Sequence, residues 1–176
     1  MTTFAAKKSV RKQRGFTLIE MMIAVVMILV GLVAVAQLVS ASIALNSANR
    51  DDSTSVVLAQ NELNQFVGQS LSTFSYTDNL GNACTLGSSG TTGSFVGSPL
   101  ITSADNRQII DYSQSTVNGY NFTWIDPNDP SGAQYDVRWA VYNFPSGAGK
   151  RFVIGARKTG GNRPFLPVNL DTLVTK

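Results

Sequence analysis

The hydrophobic positions of this chain begin as one continuous run near the N-terminus. Residues 21–36 (MMIAVVMILVGLVAVA) carry no charged or hydrogen-bonding side chain. Aliphatic residues on both sides extend the run to roughly twenty positions, the length that a helix needs to cross a bilayer. The run therefore predicts a transmembrane helix. The large apolar residues assigned to this helix are Leu18, Ile19, Met21, Met22, Ile23, Val25, Val26, Met27, Ile28, Leu29, Val30, Leu32, Val33 and Val35.

Beyond this run, apolar residues recur mainly at every third or fourth position and polar residues fill the others. That spacing places the apolar residues along one side of an α-helix. No proline precedes Pro99, so the pattern predicts one helix from Phe16 to about Leu71. The apolar stripe consists of Leu38, Ala41, Leu45, Ala48, Val56, Ala59, Leu63 and either Phe66 or Val67.

The composition changes near Ser72, where the predicted helix ends. All six prolines and twelve of the fifteen glycines lie beyond this residue. The stretch 75–99 is rich in Gly, Ser, Thr and Asn, a composition typical of loops. We therefore expect a long irregular loop between the helix and whatever follows it.

Strand-like segments follow the loop. Residues 119–125 (GYNFTWI), 135–142 (YDVRWAVY) and 151–156 (RFVIGA) are rich in aromatic and β-branched residues, and 107–112 (RQIIDY) is a weaker candidate. Turn-forming residues separate them. The expected fold class is α+β, with a long N-terminal helix packed against a small antiparallel sheet of three to four strands.

The segment 135–142 alternates between apolar and mixed positions. Its odd-numbered residues, from Tyr135 to Val141, are aromatic or β-branched, whereas Asp136, Arg138 and Ala140 alternate with them. An antiparallel strand with one face on a helix and the other in water has this pattern. We expect the odd-numbered face to contact the helix and the even-numbered face to be solvated.

Charge is distributed unevenly along the chain. The first 15 residues hold five basic and no acidic residues, and the remaining chain holds nine basic and eleven acidic residues. The pI near 9.2 therefore reflects the N-terminal segment and is not evidence of a nucleic-acid-binding surface. A basic block before an apolar run predicts an N-terminus on the cytoplasmic side of the membrane.

The chemistry available to this chain is limited. It has no histidine and one cysteine, Cys84, so nucleophile–histidine arrangements and an intramolecular disulfide are excluded. No paired carboxylate motif indicates hydrolytic catalysis. We predict that the protein is not an enzyme and has no cofactor and no metal site. Cys84 could remain a free thiol or form an intermolecular disulfide.

Three interpretations fit the N-terminal 40 residues. A secretory signal peptide would be cleaved after Ala34-Val35-Ala36, although the apolar run is longer than usual and Glu20 interrupts its start. An ordinary signal anchor would place Glu20 at the membrane interface, in front of an extracytoplasmic binding or enzymatic domain. The third interpretation depends on the residues around Gly15.

The string KQRGFTLIE, with a basic leader before it and an apolar run after it, resembles the processing site of type IV prepilins and type II secretion pseudopilins. The resemblance implies cleavage between Gly15 and Phe16 by a prepilin peptidase, with N-methylation of Phe16. It also implies that Glu20 pairs with the N-terminal amine of a neighbouring subunit. An ionised carboxylate in apolar surroundings costs several kcal/mol unless it is paired or protonated.

The family resemblance implies a division of the chain into four parts. Residues 1–15 would be the removed leader, 16–39 the transmembrane and filament-core half of the helix, 40–71 its amphipathic half, and 72–176 the globular region. The expected function is a minor pilin or pseudopilin that is assembled into, or primes, a type IV pilus-like filament. The alternative within the class is a type II secretion pseudopilin.

The same resemblance implies partners and a location. The partners would be other pilin subunits, the prepilin peptidase and methyltransferase, and the inner-membrane assembly machinery. The precursor would cross the bacterial inner membrane once and then enter an extracytoplasmic filament, either a pilus or a periplasmic pseudopilus. A Tyr-x-Val-x-Trp segment followed by a Lys-Arg-Phe-Val-Ile strand is also similar to minor pilins of the PilV group.

Three polar clusters are further candidate sites. The turn with Asp126, Asn128 and Asp129 offers oxygen ligands, but its spacing is not that of an EF-hand, so we predict a turn without calcium. The segment 50–52 (RDD) is interpreted as a solvated face or a weak local ion pair. A basic cluster near the C-terminus could bind DNA, although we favour a solvated rim; it contains Lys150, Arg151, Arg157, Lys158 and Arg163.

Overall fold

A computed structural model describes residues 15–129, 132–160 and 166–175. The chain divides into two compact units between Asn46 and Ser47. The predicted leader lies almost wholly outside the described residues. The elements are helix α1 (Leu18–Val67) and strands β1 (Ser75–Thr77), β2 (Ala83–Thr85), β3 (Phe95–Gly97), β4 (Leu100–Thr102), β5 (Gln108–Ile110), β6 (Asn121–Ile125), β7 (Gln134–Asn143), β8 (Gly149–Thr159) and β9 (Val168–Thr175), with a 3₁₀ turn at Pro145–Gly147.

The predicted long helix is confirmed, with slightly shorter ends. It begins at Leu18 and continues for 50 residues, since proline does not occur in this part of the chain. After Val67 the backbone N–H of Gly68 still donates to the carbonyl of Asn64 at 3.1 Å. The chain then leaves the helix, which fits the low helix propensity of glycine.

The main sheet belongs to the second unit and has five antiparallel strands. Its order is β3-β7-β8-β9, and β6 also pairs with β7. Two separate two-stranded sheets, β1–β2 and β4–β5, complete the strands of the described chain. The α+β class is therefore confirmed, whereas the main sheet exceeds the expected three to four strands.

Some expectations about this region were wrong. The stretch 75–99 is not wholly irregular, because it contains the short strands β1, β2 and β3. Strand β9 was missed because Asn169 and Asp171, two residue types that are depleted in strands, interrupt its apolar positions. The segments 119–125, 135–142 and 151–156 correspond to β6, β7 and β8, and β5 confirms the weaker candidate.

The core of the second unit lies between the last part of α1 and one face of the sheet. As predicted, the odd-numbered residues of β7 form this face, and Trp139 is fully buried. The ring of Phe66, on α1, lies 5.2 Å from the Trp139 ring and 5.5 Å from that of Phe152. The Trp139 indole N–H donates to the carbonyl of Thr85 at 2.9 Å, so the one polar atom of this side chain is satisfied.

The opposite face of β7 is not solvated, contrary to the prediction. Asp136, Arg138 and Ala140 are buried, because the β4–β5 sheet and Tyr112 cover this side of the sheet. Arg138 binds the Asp136 carboxylate at 2.8 Å and donates to the carbonyl of Gln114 at the same distance. The charges are therefore buried as a hydrogen-bonded pair, which avoids the cost of an isolated ion.

At 50–52 the prediction of a solvated face is wrong for Asp51, and the ion pairs of this segment are not local. Asp51 is buried and accepts hydrogen bonds from Lys158 Nζ at 2.9 Å and from the Tyr135 hydroxyl at 3.4 Å. Arg50 lies 3.4 Å from the carboxylate of Asp129. These contacts join α1 to the sheet by charge as well as by apolar packing.

Candidate functional site

The predicted cleavage bond lies outside the helix. Gly15 and Phe16 precede α1, both are exposed, and 79% of the Phe16 surface is accessible. A peptidase needs a bond that is not held in helical hydrogen bonds and not shielded by neighbouring side chains. The Gly15–Phe16 bond meets both conditions in this structure.

Thr17 starts the helix in a way that the sequence interpretation overlooked. Its hydroxyl accepts a hydrogen bond from the backbone N–H of Glu20 at 3.3 Å, and its carbonyl accepts one from the N–H of Met21 at 3.2 Å. A threonine followed three residues later by a glutamate is the sequence signature of a capping box. This signature was available in TLIE, and it explains why the helix begins directly after Phe16.

Glu20 occupies the first turn of α1. The partial positive charge of a helix N-terminus favours a carboxylate there. Within the described residues the side chain of Glu20 forms no hydrogen bond and no ion pair, and it is exposed. The capping interaction therefore leaves this carboxylate available at the start of the apolar run.

The first unit exposes apolar side chains on all sides of its helix. An 18-residue window has a mean hydropathy of 2.8 and none of it is buried, so α1 is long and apolar enough to cross a membrane. Soluble surface helices restrict their apolar residues to one stripe. This part of α1 needs an apolar environment around its whole circumference, which a bilayer or a bundle of similar helices provides.

The guanidinium of Arg50 lies beside the turn that contains Asp126, Asn128 and Asp129. One Asp126 oxygen accepts a hydrogen bond from the backbone N–H of Asn128 at 2.8 Å, and the other lies 3.7 Å from Arg50. Arg50 also approaches Asp129. A guanidinium thus balances the carboxylates of this turn, which agrees with its interpretation as a structural turn.

The basic residues near the C-terminus do not form an open rim. Lys150 is buried, and Arg151 and Lys158 each bind an aspartate. The guanidinium of Arg157 lies 4.3 Å from the centre of a tyrosine ring, and Arg163 is outside the described residues. The interpretation as a solvated rim is therefore wrong for Lys150.

Cys84 is buried on β2 rather than exposed in a loop. Its sulfur lies 3.5 Å from a carboxylate oxygen of Glu62, which also accepts a hydrogen bond from the Tyr76 hydroxyl at 3.0 Å. Burial is the main cause that raises the pKa of the Cys84 thiol. A buried, protonated thiol is a poor nucleophile, so an intermolecular disulfide at Cys84 does not fit this arrangement.

Glu62 is the buried acid at the centre of this cluster. Only 1% of its surface is exposed. A carboxylate oxygen of Glu62 lies within 4.8 Å of the Cys84 sulfur and of a carboxylate oxygen of Asp78. Burial is the main cause that raises the pKa of Glu62, and the nearby Asp78 raises it further. The hydrogen bonds from Tyr76 and Cys84 hold the Glu62 carboxylate in place. Sequence periodicity placed Glu62 on the helix but could not reveal that β1 and β2 cover it.

Comparison with known proteins adds one match. The prokaryotic N-terminal methylation motif matches residues 10–36, which include Gly15, Phe16, Glu20 and most of the exposed apolar run. No curated protein and no solved structure shows a significant match to the chain. The match favours the third interpretation of the N-terminus over a cleaved secretory signal or an ordinary anchor.

Two features coincide in the N-terminal part of the chain. The matched motif covers the start of α1, and the same part of α1 is exposed, apolar and long enough to cross a membrane. The chain thus carries a type IV pilin-like prepilin motif at residues 10–36, followed by an α+β region.

Proposed function

We propose that this chain is a minor pilin or pseudopilin subunit that is processed and then assembled into a type IV pilus-like filament. The observation that carries the proposal is the methylation motif at residues 10–36 on an exposed apolar helix. Both features belong to subunits that move from a membrane into a helical filament core. The role is structural, and the protein acts through its contacts with other subunits rather than through catalysis.

The precursor would cross the bacterial inner membrane with its N-terminus in the cytoplasm. The five basic residues before Phe16 favour this orientation. Residues 16–39 would span the bilayer and later contact equivalent segments in the filament. Residues 40–71 would form the amphipathic half of the helix and 72–176 the extracytoplasmic globular region.

Processing would occur at the Gly15–Phe16 bond. A prepilin peptidase would cut this bond, and a methyltransferase would modify the amine of Phe16. The exposed, non-helical position of both residues supports this proposal. Methylation keeps the amine basic, so the mature chain would begin with a positive charge four residues before Glu20.

Glu20 would pair with the N-terminal amine of a neighbouring subunit. The carboxylate has no partner among the described residues and precedes a run of apolar side chains. Moving a carboxylate into the centre of a membrane costs roughly 2.5–3.5 kcal/mol on insertion scales. A cation from a neighbour would offset this cost only when the two subunits are in register, so Glu20 would help specify how subunits dock.

Co-expression with a prepilin peptidase tests the proposal directly. Mass spectrometry of the intact protein should show loss of residues 1–15, and N-terminal sequencing should give an N-methylated Phe16. A Gly15→Val variant is the control and should remain uncut, because a branched side chain would replace glycine at the cleaved bond. Cleavage after Ala36, or an uncut wild-type chain, would contradict the proposed function.

A further inference from the structure

A cavity of about 200 Å³ lies in the second unit, where the chain leaving α1 meets the adjoining ends of β7 and β8. Its walls combine different chemistries. Phe74 and Phe144 supply aromatic rings, and Ser88 supplies a hydroxyl group. The side chains of Asn143 and Lys150 complete the lining. Rings, a hydroxyl group, an amide and an ammonium group around one small space are the kinds of group that bind small polar ligands.

Lys150 is a buried cation without an acidic partner. Only 3% of its surface is exposed, and no carboxylate of the described residues forms an ion pair with it. Its ammonium group donates to the carbonyls of Thr73 at 2.5 Å and Leu86 at 3.0 Å. An ammonium group has three donors, so one N–H remains for another acceptor.

The Phe74 ring provides a further contact, with its centre 4.5 Å from Lys150 Nζ. Neutral carbonyls and a ring face stabilise a cation without cancelling its charge. In agreement with this environment, burial lowers the pKa of Lys150. A buried, uncompensated positive charge at a cavity wall favours an anionic ligand, because the Coulomb attraction is stronger at the low effective dielectric constant of a buried site.

Asn143 supplies the second half of the site. It is the cross-strand partner of Lys150 in the β7–β8 ladder, so the two side chains leave the same face of the sheet close together. Its amide nitrogen donates to the carbonyls of Ser88 and Thr91, both at 3.2 Å. Its carbonyl oxygen is buried and has no hydrogen-bond donor among the described residues, which is costly for a buried acceptor.

We propose that this cavity binds a small carboxylate that carries a hydrogen-bond donor beside its carboxyl group. The carboxylate would accept the remaining N–H of Lys150, and the ligand's donor would satisfy the Asn143 oxygen. Hydroxy acids, such as sugar acids, and N-acylamino acids share this chemistry. The inference is independent of filament assembly, because it depends only on groups in the second unit.

The test is an NMR titration of the full chain in detergent micelles. The probes are gluconate and N-acetylglycine, and their neutral counterparts are glucitol and N-acetylglycinamide. The proposal predicts saturable shifts of the backbone amides of Phe144, Gly147 and Gly149 with at least one acid and not with its neutral counterpart. If only one of the two acids binds, that acid shows whether the natural ligand is sugar-like or peptide-like. Absence of saturable shifts with both acids, or equal shifts with the neutral compounds, would overturn the proposal.

Three variants separate specific binding from general charge attraction. Lys150→Gln should weaken binding at least about tenfold, which corresponds to ~1.4 kcal/mol. Asn143→Asp should weaken it similarly, because it places a competing carboxylate beside Lys150 and keeps the cation. Arg151→Gln removes the same charge one residue away, where the side chain binds Asp171 instead, and should leave binding unchanged.

The variant results are decisive even if Lys150→Gln does not fold, since Asn143→Asp retains Lys150 and nearly the same side-chain volume. Unchanged binding by a folded Lys150→Gln or by Asn143→Asp would overturn the assignment of the site. An equal loss in Arg151→Gln would also overturn it, because binding would then follow net charge rather than this cavity.

Discussion

Two glutamates of the same helix lie in opposite environments. Glu20 is exposed at the first turn and has no partner among the described residues, whereas Glu62 is buried beneath β1 and β2 and receives a hydrogen bond from Tyr76. The same side chain therefore has two different physical roles. Glu20 is available to another molecule, and Glu62 is committed to the interior of the second unit.

Replacing Glu20 by leucine should separate membrane insertion from filament assembly. Insertion should be unchanged or improved, because a carboxylate is removed from the start of the apolar run. Incorporation into filaments should fall at least about tenfold, the effect of losing an interaction of ~1.4 kcal/mol. Quantitative immunoblotting of sheared filaments against total membrane protein measures both. Asp52→Leu, an exposed acid farther along α1, is the control, and normal incorporation of Glu20→Leu would refute the pairing role.

Glu62 should make the stability of the second unit depend on pH. Burial raises its pKa above the ordinary value of 4.5, so the folded state holds this proton more tightly than the unfolded state. The contribution is fully present below the unfolded pKa and is lost as pH rises through the folded pKa. Burial also raises the pKa values of Tyr76 and Cys84, so these groups stay protonated across that range.

Glu62→Gln should remove this dependence, because glutamine retains the shape and a hydrogen-bond acceptor but does not titrate. Thermal unfolding followed by tryptophan fluorescence between pH 5 and pH 8 would compare the variant with the wild type. The wild-type Tm should decrease relative to that of Glu62→Gln as pH rises. Asp52→Asn should behave as the wild type, and parallel Tm curves for the wild type and Glu62→Gln would contradict the prediction.

At the scale of elements, the stability of the second unit depends on the contacts between α1 and the sheet. Apolar contacts around Phe66 and an ion pair between Asp51 and Lys158 act together. The Asp51 carboxylate also receives the Tyr135 hydroxyl, so one helical residue contacts both β7 and β8. The helix is thus attached to the sheet both by apolar packing and by a largely buried ion pair.

Asp51→Ala should destabilise the second unit strongly, because it leaves the largely buried Lys158 without this partner. Breaking a buried ion pair from one side costs about 3–5 kcal/mol. The neighbouring Asp52→Ala changes an exposed residue and should stay within about 0.5 kcal/mol of the wild type. Urea unfolding followed by the fluorescence of the buried Trp139 measures both. Equal stability of the two variants would show that the pair contributes nothing specific.

The strands that the sequence predicted share one property. Strands β6, β7 and β8 contain dense aromatic and β-branched residues, and each is recognisable from its own composition. Strands β3 and β4 have three residues each and obtain their partners from β7 and β5. Such strands are defined by pairing across the chain, so a local pattern carries little information about them.

At the scale of the whole molecule, the distribution of apolar surface separates the two units. The second unit has a core of buried apolar residues around Trp139 and Phe152, whereas no residue in the apolar window of the first unit is buried. Folding of this chain alone therefore does not remove the apolar surface of the first unit from water. An external apolar environment is required, first the bilayer and then, in the proposed filament, neighbouring helices.

Met27→Lys should test this requirement, because it puts a charge into the middle of the exposed apolar run. A lysine at the centre of a membrane helix costs roughly 2.5–3.5 kcal/mol, so the fraction that resists carbonate extraction should fall. The same substitution at Ser47, beyond the run, should have little effect. Complete membrane retention of Met27→Lys would contradict a transmembrane role for this part of α1.

The sequence alone determined the features that depend on neighbouring residues. The apolar run, the long helix and the string from Gly15 to Glu20 are contiguous, so their composition and spacing indicate their roles. The roles of these motif residues in cleavage, methylation and pairing stay predictions until tested. Periodicity also assigned the correct face of β7 to the core, because alternation is a local property of a strand.

Only the tertiary structure decided which polar residues are buried. Asp51, Glu62, Cys84, Asp136 and Lys150 are ordinary surface types in sequence, except for the cysteine, yet all are buried here. Each is covered by residues distant in the chain, such as Tyr112, whose hydroxyl donates to the carbonyl of Asp136. Burial of a polar group depends on what packs against it and which partners it meets, and no local pattern contains that information.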